Sequence, residues 1–342
     1  MSGTPRSSAS PDSGGIAVLG AGSWGTALAV QLARASGQAT LWGQDATRLS
    51  AMGAARINER YLPGTRFPDG LGVEADLARA VATHRDLLVC VPSHAFRTTI
   101  ERIAPHLRAD SRIAWATKGF EQKTGELPHD IAHELLGPRS ALAVLSGPTF
   151  AKEVAAGLPT AMTVAASDQA FATDLAARIS DQRFRAYTSS DLIGVEVGGA
   201  VKNVLAIAAG ISDGLKFGAN ARIAVISRGL IEMTRLGLAL GAQRETFMGL
   251  SGMGDLVLTC TDDQSRNRRV GLLLAAGRSM QQAAAEIGFV CEGIYGARSV
   301  HEVAERLGVD MPISHEVYRI LYEGLAPSEA VRALMNRPLT PE

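Results

Sequence analysis

Lys202 is the only charged side chain between Val197 and Ser212, in the run Val-Gly-Gly-Ala-Val-Lys-Asn-Val-Leu-Ala-Ile. An amine set among apolar neighbours loses hydration, and its pKa falls toward neutrality. A proton donor and acceptor working near pH 7 needs that property. Gly198 and Gly199, one turn earlier, cost helix stability and clear space for another group to approach. The alternative is a lysine whose stem packs while its amine reaches water. Asp255, in Leu-Ser-Gly-Met-Gly-Asp-Leu, is an acid able to pair with Lys202 and offset its desolvation; otherwise it is a helix cap or turn acid. Lys118 follows the strand-like Arg-Ile-Ala-Trp-Ala-Thr and precedes Gly119, so it either points into a cleft or snorkels at the surface.

Two further segments have the make-up of ligand-holding turns. Ser265-Arg266-Asn267 opens an apolar helix after two acids. A helix N-terminus offering amides, a fork-shaped cation and a side-chain amide suits a phosphate. The competing reading is a solvated basic turn. Ser146-Gly147-Pro148-Thr149 follows an apolar strand; Gly147 permits close backbone approach and Thr149 offers a hydroxyl, though ordinary turns look the same.

These side chains need a scaffold, and the chain opens on one. Ile16-Ala17-Val18-Leu19 runs into Gly20-Ala21-Gly22-Ser23-Trp24-Gly25, and a helical pattern over 26–35 follows. This is a dinucleotide-binding turn in its required strand-to-helix context. Gly20 makes the turn, Gly22 lets backbone approach a pyrophosphate, and Gly25 lets helix and strand pack closely. Asp45 stands near the spacing of a ribose-binding carboxylate, but it lies beyond Gly43 and Gln44; capping the next helix is the alternative. Gly43 leaves room for a 2′-phosphate and Arg48 is close enough to hold one, so NADP(H), with or without NAD(H), is expected.

Strands are expected at 16–20, 39–42, 86–91, 112–117, 141–146, 160–166 and 184–187. Several are continuous apolar runs, the pattern of strands covered on both faces. Alternation with helices predicts a Rossmann-type, doubly wound α/β domain over 15–190. From 191 the texture becomes helical, with helices at 191–215, 222–240, 267–276, 280–287, 293–307 and 314–322, predicting an all-α substrate domain over 191–335. Residues 1–14 read as a disordered leader and 336–342 as a tail. Ligands in such sheets bind beyond the carboxyl ends of the strands. The post-strand residues Ser23, Trp24, Gln44, Asp45, Pro92, Ser93, His94, Lys118, Gly119, Gly147 and Thr149 should therefore converge.

Bulk composition narrows the partners. Lys plus Arg and Asp plus Glu are both 34, so nothing favours nucleic acid or an anionic membrane. No apolar run approaches the ~18 residues of a membrane span. The three cysteines, Cys90, Cys260 and Cys291, have no metal-like spacing and read as buried thiols of a reducing cytoplasm. No metal site is expected.

The segments GAGSWGTALA, TKG, SGPTFAKEV, VGGAVKNVLAIAAGI, SGMGDLVLTC, SRNRR and EG, taken in order, closely resemble the bacterial NAD(P)-dependent glycerol-3-phosphate dehydrogenase family from Ile16 to about Leu334. The resemblance implies reversible reduction of dihydroxyacetone phosphate to sn-glycerol 3-phosphate, a nicotinamide cofactor and a place in glycerophospholipid synthesis. It implies Lys202 as general acid/base, with Lys118 and Asp255 beside it. Gly147, Thr149, Ser265, Arg266 and Asn267 would complete the substrate site. Cofactor positions would be Gly20, Gly22, Ser23, Trp24, Gly25, Gln44, Lys118, Ala151, Arg266, Val290 and Glu292. Gln44 stands where the family often has Arg or His, which leaves NADP against NAD open. A homodimer is compatible with this reading. Two rivals remain: a 3-hydroxyacid dehydrogenase of similar build, sharing a mid-helix Lys-Asn element, and a non-catalytic nucleotide sensor.

Overall fold

The computed structural model describes residues 14–137 and 140–338. The expected leader, through residue 13, and the tail beyond residue 338 lie outside them. Strands β1 (Ile16–Leu19), β2 (Ala39–Trp42), β5 (Leu71–Glu74), β6 (Asp86–Val89), β7 (Arg112–Trp115), β8 (Ala141–Ser146), β9 (Thr160–Ala166) and β10 (Phe184–Ser189) form one sheet. A separate antiparallel pair joins β3 (Ile57–Asn58) to β4 (Leu62–Arg66).

The main sheet runs β10-β9-β8-β7-β6-β1-β2-β5. The chain winds outward from β1 in both directions, so the switch point lies between β1 and β6. Ile16 aligns with Ala39 on one side and Asp86 on the other, both parallel. Strand side chains alternate between faces. Ile16 and Val18 therefore enter one core, with α1 (Ser23–Ser36) and α7 (Gln169–Ile179), while Ala17 and Leu19 enter the other.

Four strands depart from the sequence reading. β5 was not expected: Leu-Gly-Val-Glu is short, and Gly72 interrupts its apolar pattern. β9 runs antiparallel to β8, which makes the sheet mixed; a buried apolar strand carries no record of its direction. β3 and β4 were also missed, since an exposed Pro-Gly segment within β4 reads as a turn.

After β10 the chain is helical: α8 (Leu192–Gly214), α9 (Gly218–Ala239), α10 (Asp255–Thr261), α11 (Arg266–Ala275), α12 (Met280–Ile287), α13 (Glu292–Leu307), α14 (Pro312–Tyr318) and α15 (Pro327–Met335). α8 is the axis of this half. Asp191 caps it by accepting from the Gly194 amide at 2.9 Å, and also accepts from the Gln243 amide at 2.9 Å. By length and composition α8 is apolar enough to cross a membrane, contrary to the expectation that no segment is. Yet 89% of its most apolar window is buried inside the protein, as befits a helix packed on all sides. α10 and α15 were not anticipated: Asp-Leu-Val-Leu-Thr-Cys-Thr is short and rich in β-branched residues, so its pattern does not distinguish helix from strand.

A buried acid joins α9 to α14. Glu232 accepts from the Ile313 and Ser314 amides at 2.6 and 3.1 Å and from the Ser314 hydroxyl at 2.9 Å. Burial raises its pKa from 4.5 to about 7, and those three donors offset the rise only in part. The unfolded chain releases this proton near the ordinary value, whereas the folded chain holds it to about pH 7. Stability should therefore fall as pH rises from about 4.5 to about 7, by ~3 kcal/mol from this group. Glu232→Gln should flatten that part of a denaturant-measured stability profile; an unchanged slope would refute the assignment.

Candidate active site

The glycine turn sits at the switch point. Gly20 has φ +134°, and a Cβ there would lie 2.3 Å from the Cys90 carbonyl oxygen. A Cβ on Gly25 would meet the Gly20 carbonyl at 1.9 Å, so α1 starts hard against the turn. Gly22 faces open space and is the N-cap of α1. The first amides of a helix lack intrahelical partners and suit a phosphate. The indole Nε1 of Trp24 is buried with no hydrogen-bond partner. This open cradle and orphaned donor fit a dinucleotide. The Ser23 hydroxyl is committed to the Tyr61 carbonyl at 2.7 Å, leaving its amide toward the cradle.

Of the two readings of Asp45, the helix cap is the one adopted. Asp45 caps α2 (Ala46–Ala55), accepting from the Arg48 amide at 3.0 Å, and its carboxylate pairs with the Arg48 side chain at 2.7 Å. A Cβ on Gly43 would meet Ala21 Cβ at 2.9 Å, so a glycine here lets the end of β2 pack against the glycine turn. Gln44 is exposed at the end of β2.

Lys202, Lys118 and Asp255 meet. Lys202 Nζ lies 2.5 Å from Asp255 Oδ1, and Lys118 Nζ lies 2.7 Å from Oδ2. Asp255 is 1% exposed and Lys202 7%, so both lysines share one buried carboxylate. The α8 glycines admit the elements that bring these partners: a Cβ on Gly198 would strike the Ser251 carbonyl at 2.5 Å, and one on Gly199 would press on the Lys118 stem at 3.3 Å. The turn 250–254 before α10 is π-helical, and Asp255 is the first residue after it.

Burial lowers the Lys202 pKa to about 8; Asp255 opposes the drop and Lys118 adds to it. Burial alone would raise the Asp255 carboxyl, but the two ammonium groups outweigh it and hold it below the ordinary carboxylate range. The alternatives of a snorkelling Lys118 and a merely capping Asp255 are not what the structure adopts.

Sequence reasoning missed the contacts of two residues and one orphaned hydroxyl. Thr259 accepts from Lys202 Nζ at 2.9 Å and donates to the Asp255 carbonyl at 2.6 Å. Its signal was the i, i+4 spacing to Asp255, invisible while α10 was unassigned. Ser93, after β6, donates its amide and hydroxyl to Glu292 at 3.1 and 2.7 Å, joining the sheet to the start of α13. Burial raises the Glu292 carboxyl, and the Ser93 donors and nearby Arg266 moderate the rise. The Ser146 hydroxyl is buried without a partner, 3.4 Å from where a Gly199 Cβ would stand.

Gly147 is buried, with φ +154°, and accepts from the Thr149 hydroxyl at 3.1 Å. Ala151 begins α6 (Ala151–Ala156) and is half-buried. Ser265 caps α11, accepting from the Arg268 amide at 3.2 Å. Asn267 donates to Asn203 Oδ1 at 2.8 Å and accepts the Gly293 amide at 3.0 Å. Arg266 is exposed on the first turn of α11, whereas Arg268 is tied to Asp213 at 2.6 Å. Val290 is exposed just before α13. Two surface clefts, beside β10 and beside Gly70, hold none of these residues.

Two family models match the chain: the NAD-dependent glycerol-3-phosphate dehydrogenase N-terminus over residues 15–172 and its C-terminus over 191–332. A glycerol-3-phosphate dehydrogenase [NAD(P)+] of Methylococcus capsulatus is 58% identical, covering 96% of this chain and 98% of that one. Its Vibrio cholerae counterpart is 55% identical over 94% of each. A crystal structure of glycerol-3-phosphate dehydrogenase from Coxiella burnetii superposes with a TM-score of 0.91 at 49% identity, covering 94% of this chain and 98% of that one. With both halves matched and the lysine–aspartate–lysine cluster set at their junction, the chain belongs to the NAD-dependent glycerol-3-phosphate dehydrogenase family.

Proposed function

We infer that this protein catalyses the reversible NAD(P)H-dependent reduction of dihydroxyacetone phosphate to sn-glycerol 3-phosphate, the backbone of glycerophospholipids. The observation that carries the mechanism is the buried Lys202 amine, held on Asp255 and Thr259 with a pKa of about 8. Bound nicotinamide supplies the hydride for C2 of the substrate. Lys202, as ammonium, gives its proton to the developing C2 alkoxide, and as amine takes it back in the reverse direction. Lys118 adds positive potential at the same oxygen. Asp255 orients both amines and keeps Lys202 protonated in a site that would otherwise discharge it. Residues 15–190 serve as the cofactor unit and 191–335 as the substrate unit, with Gly147, Thr149, Ser265, Arg266 and Asn267 toward the substrate. Gly20, Gly22, Ser23, Trp24, Gly25, Gln44, Ala151, Val290 and Glu292 belong to the cofactor side. We place the enzyme in the cytoplasm, as a homodimer; the free thiols of Cys90, Cys260 and Cys291 support a reducing compartment.

Arg266 is exposed where the phosphate would dock, so it holds substrate without taking part in the chemistry. Arg266→Ala should raise KM for dihydroxyacetone phosphate ~10–100-fold, the worth of a charge-assisted hydrogen bond, with kcat little changed. An unchanged KM removes it from the site. Absorbance assays with each reduced cofactor, comparing dihydroxyacetone phosphate with small semialdehyde acids, test the reading as a whole; preference for the acids would favour the hydroxyacid rival.

A further inference from the structure

We propose that His301, Glu305 and His315 form a binding site for a divalent transition-metal ion, zinc above all, that clips α13 to α14. One ligand atom from each of the three lies within 4.8 Å of those of the others. His301 and Glu305 are one turn apart on α13, so they share a face, and His315 comes from α14. The two Nδ1 atoms are 3.3 Å apart. An ion 2.0–2.1 Å from both nitrogens at a tetrahedral angle would set them about 3.3–3.4 Å apart, so the imidazoles already stand at the edge of such a polyhedron.

The site is supported on one side and open on the other. Tyr318 stacks on the His301 ring at 4.0 Å and 20°, fixing its plane. Both histidines are half-buried and Glu305 is exposed, which leaves an entry path and a fourth position for water. Glu302 and Glu323 add negative potential around His301. Two imidazoles and a carboxylate form a donor set that zinc favours over magnesium or calcium, which prefer oxygen alone. The site is separate from the reaction centre: His301 lies nine residues past Glu292, roughly 13 Å along α13. Its effect is to brace the two helices, and ion binding to the folded state alone stabilises it.

The test uses the tag-free full chain, stripped of metal with chelator. Zn²⁺ is titrated calorimetrically, Co²⁺ is followed by its visible absorption, and Tm is recorded with and without Zn²⁺. We expect one equivalent per chain, a four-coordinate Co²⁺ spectrum and a Zn²⁺-dependent rise in Tm. His301→Gln and His315→Asn should each weaken binding by ~100-fold or more and abolish the Tm rise, while keeping wild-type helical content and turnover. Absence of stoichiometric uptake overturns the proposal, as does uptake that survives either substitution. Because turnover is read in the same variants, this outcome is independent of the assigned reaction.

Discussion

Lys202→Ala should reduce turnover ~10²–10⁴-fold in both directions, the usual worth of a positioned general acid or base, while cofactor affinity stays near wild type. The variant should fold, because Asp255 keeps Lys118 as its partner at 2.7 Å. The wild-type pH profile carries the same information. Reduction consumes the ammonium form of Lys202, so its rate should fall as pH rises through about 8; oxidation of glycerol 3-phosphate needs the amine, so its rate should rise through the same range. Lys202→Arg, whose guanidinium does not give up its proton, should remove that pH-dependent limb along with most activity. Initial-rate absorbance assays in both directions measure all of this. Near-normal turnover in Lys202→Ala would remove the residue from the chemistry.

Asp255→Ala should be the most damaging single change to stability. It leaves two lysine amines in a buried site without a counter-charge, so that each either stays charged and unpaired or gives up its proton at a cost, and breaking such a buried pair costs about 3–5 kcal/mol. The drop in Tm should be on the order of 10 °C. Activity should fall as well, because losing the carboxylate removes what holds the Lys202 pKa up, and the amine then predominates at neutral pH. Asp255→Asn should be milder in stability, since its amide oxygen still accepts a hydrogen bond. Combining Asp255→Ala with Lys202→Met removes one of the stranded charges. The double variant should therefore be more stable than Asp255→Ala alone, a non-additivity expected only of groups in direct contact. Strict additivity in thermal unfolding would show that the lysines do not depend on Asp255.

The single-residue effects share one origin, the low polarity of the α8 environment. α8 buries both faces, and Gly198 and Gly199 let the turn 250–254 and the Lys118 stem reach it. Water is thereby excluded from the amine, which lowers its pKa, and Asp255 is brought close enough to stop the fall near the working range. Without Asp255 the same burial would leave Lys202 neutral; without the burial Asp255 would raise its pKa above that of an ordinary lysine.

Much of the site was legible from local pattern. Gly20, Gly22 and Gly25 announce their turn because each answers a backbone requirement set within a few residues. Lys202 stands out because a charge in an apolar helix is costly anywhere. The order of strands and helices follows from periodicity, which is also local. What stayed hidden depends on residues far apart in the chain. The reversal of β9, the pairing of β5 with β2, the Ser93–Glu292 link across 199 residues and the arrival of Lys118 as a second lysine on the Asp255 carboxylate are of this kind. Asp45 shows the same division in reverse: its spacing suited a ribose, but its orientation toward the α2 amides makes it a cap.

The sequence by itself thus determined the glycine turn, the α/β half followed by a helical half and the one lysine that stands out in α8, because helix and strand periodicity, turn geometry and the cost of an isolated charge act over a few residues. Only the tertiary structure decided which acid meets which amine and how far that amine's pKa falls. Burial and Coulomb interaction depend on distance through space, and the chain brings Lys118, Lys202 and Asp255 to one point only when both halves are packed together.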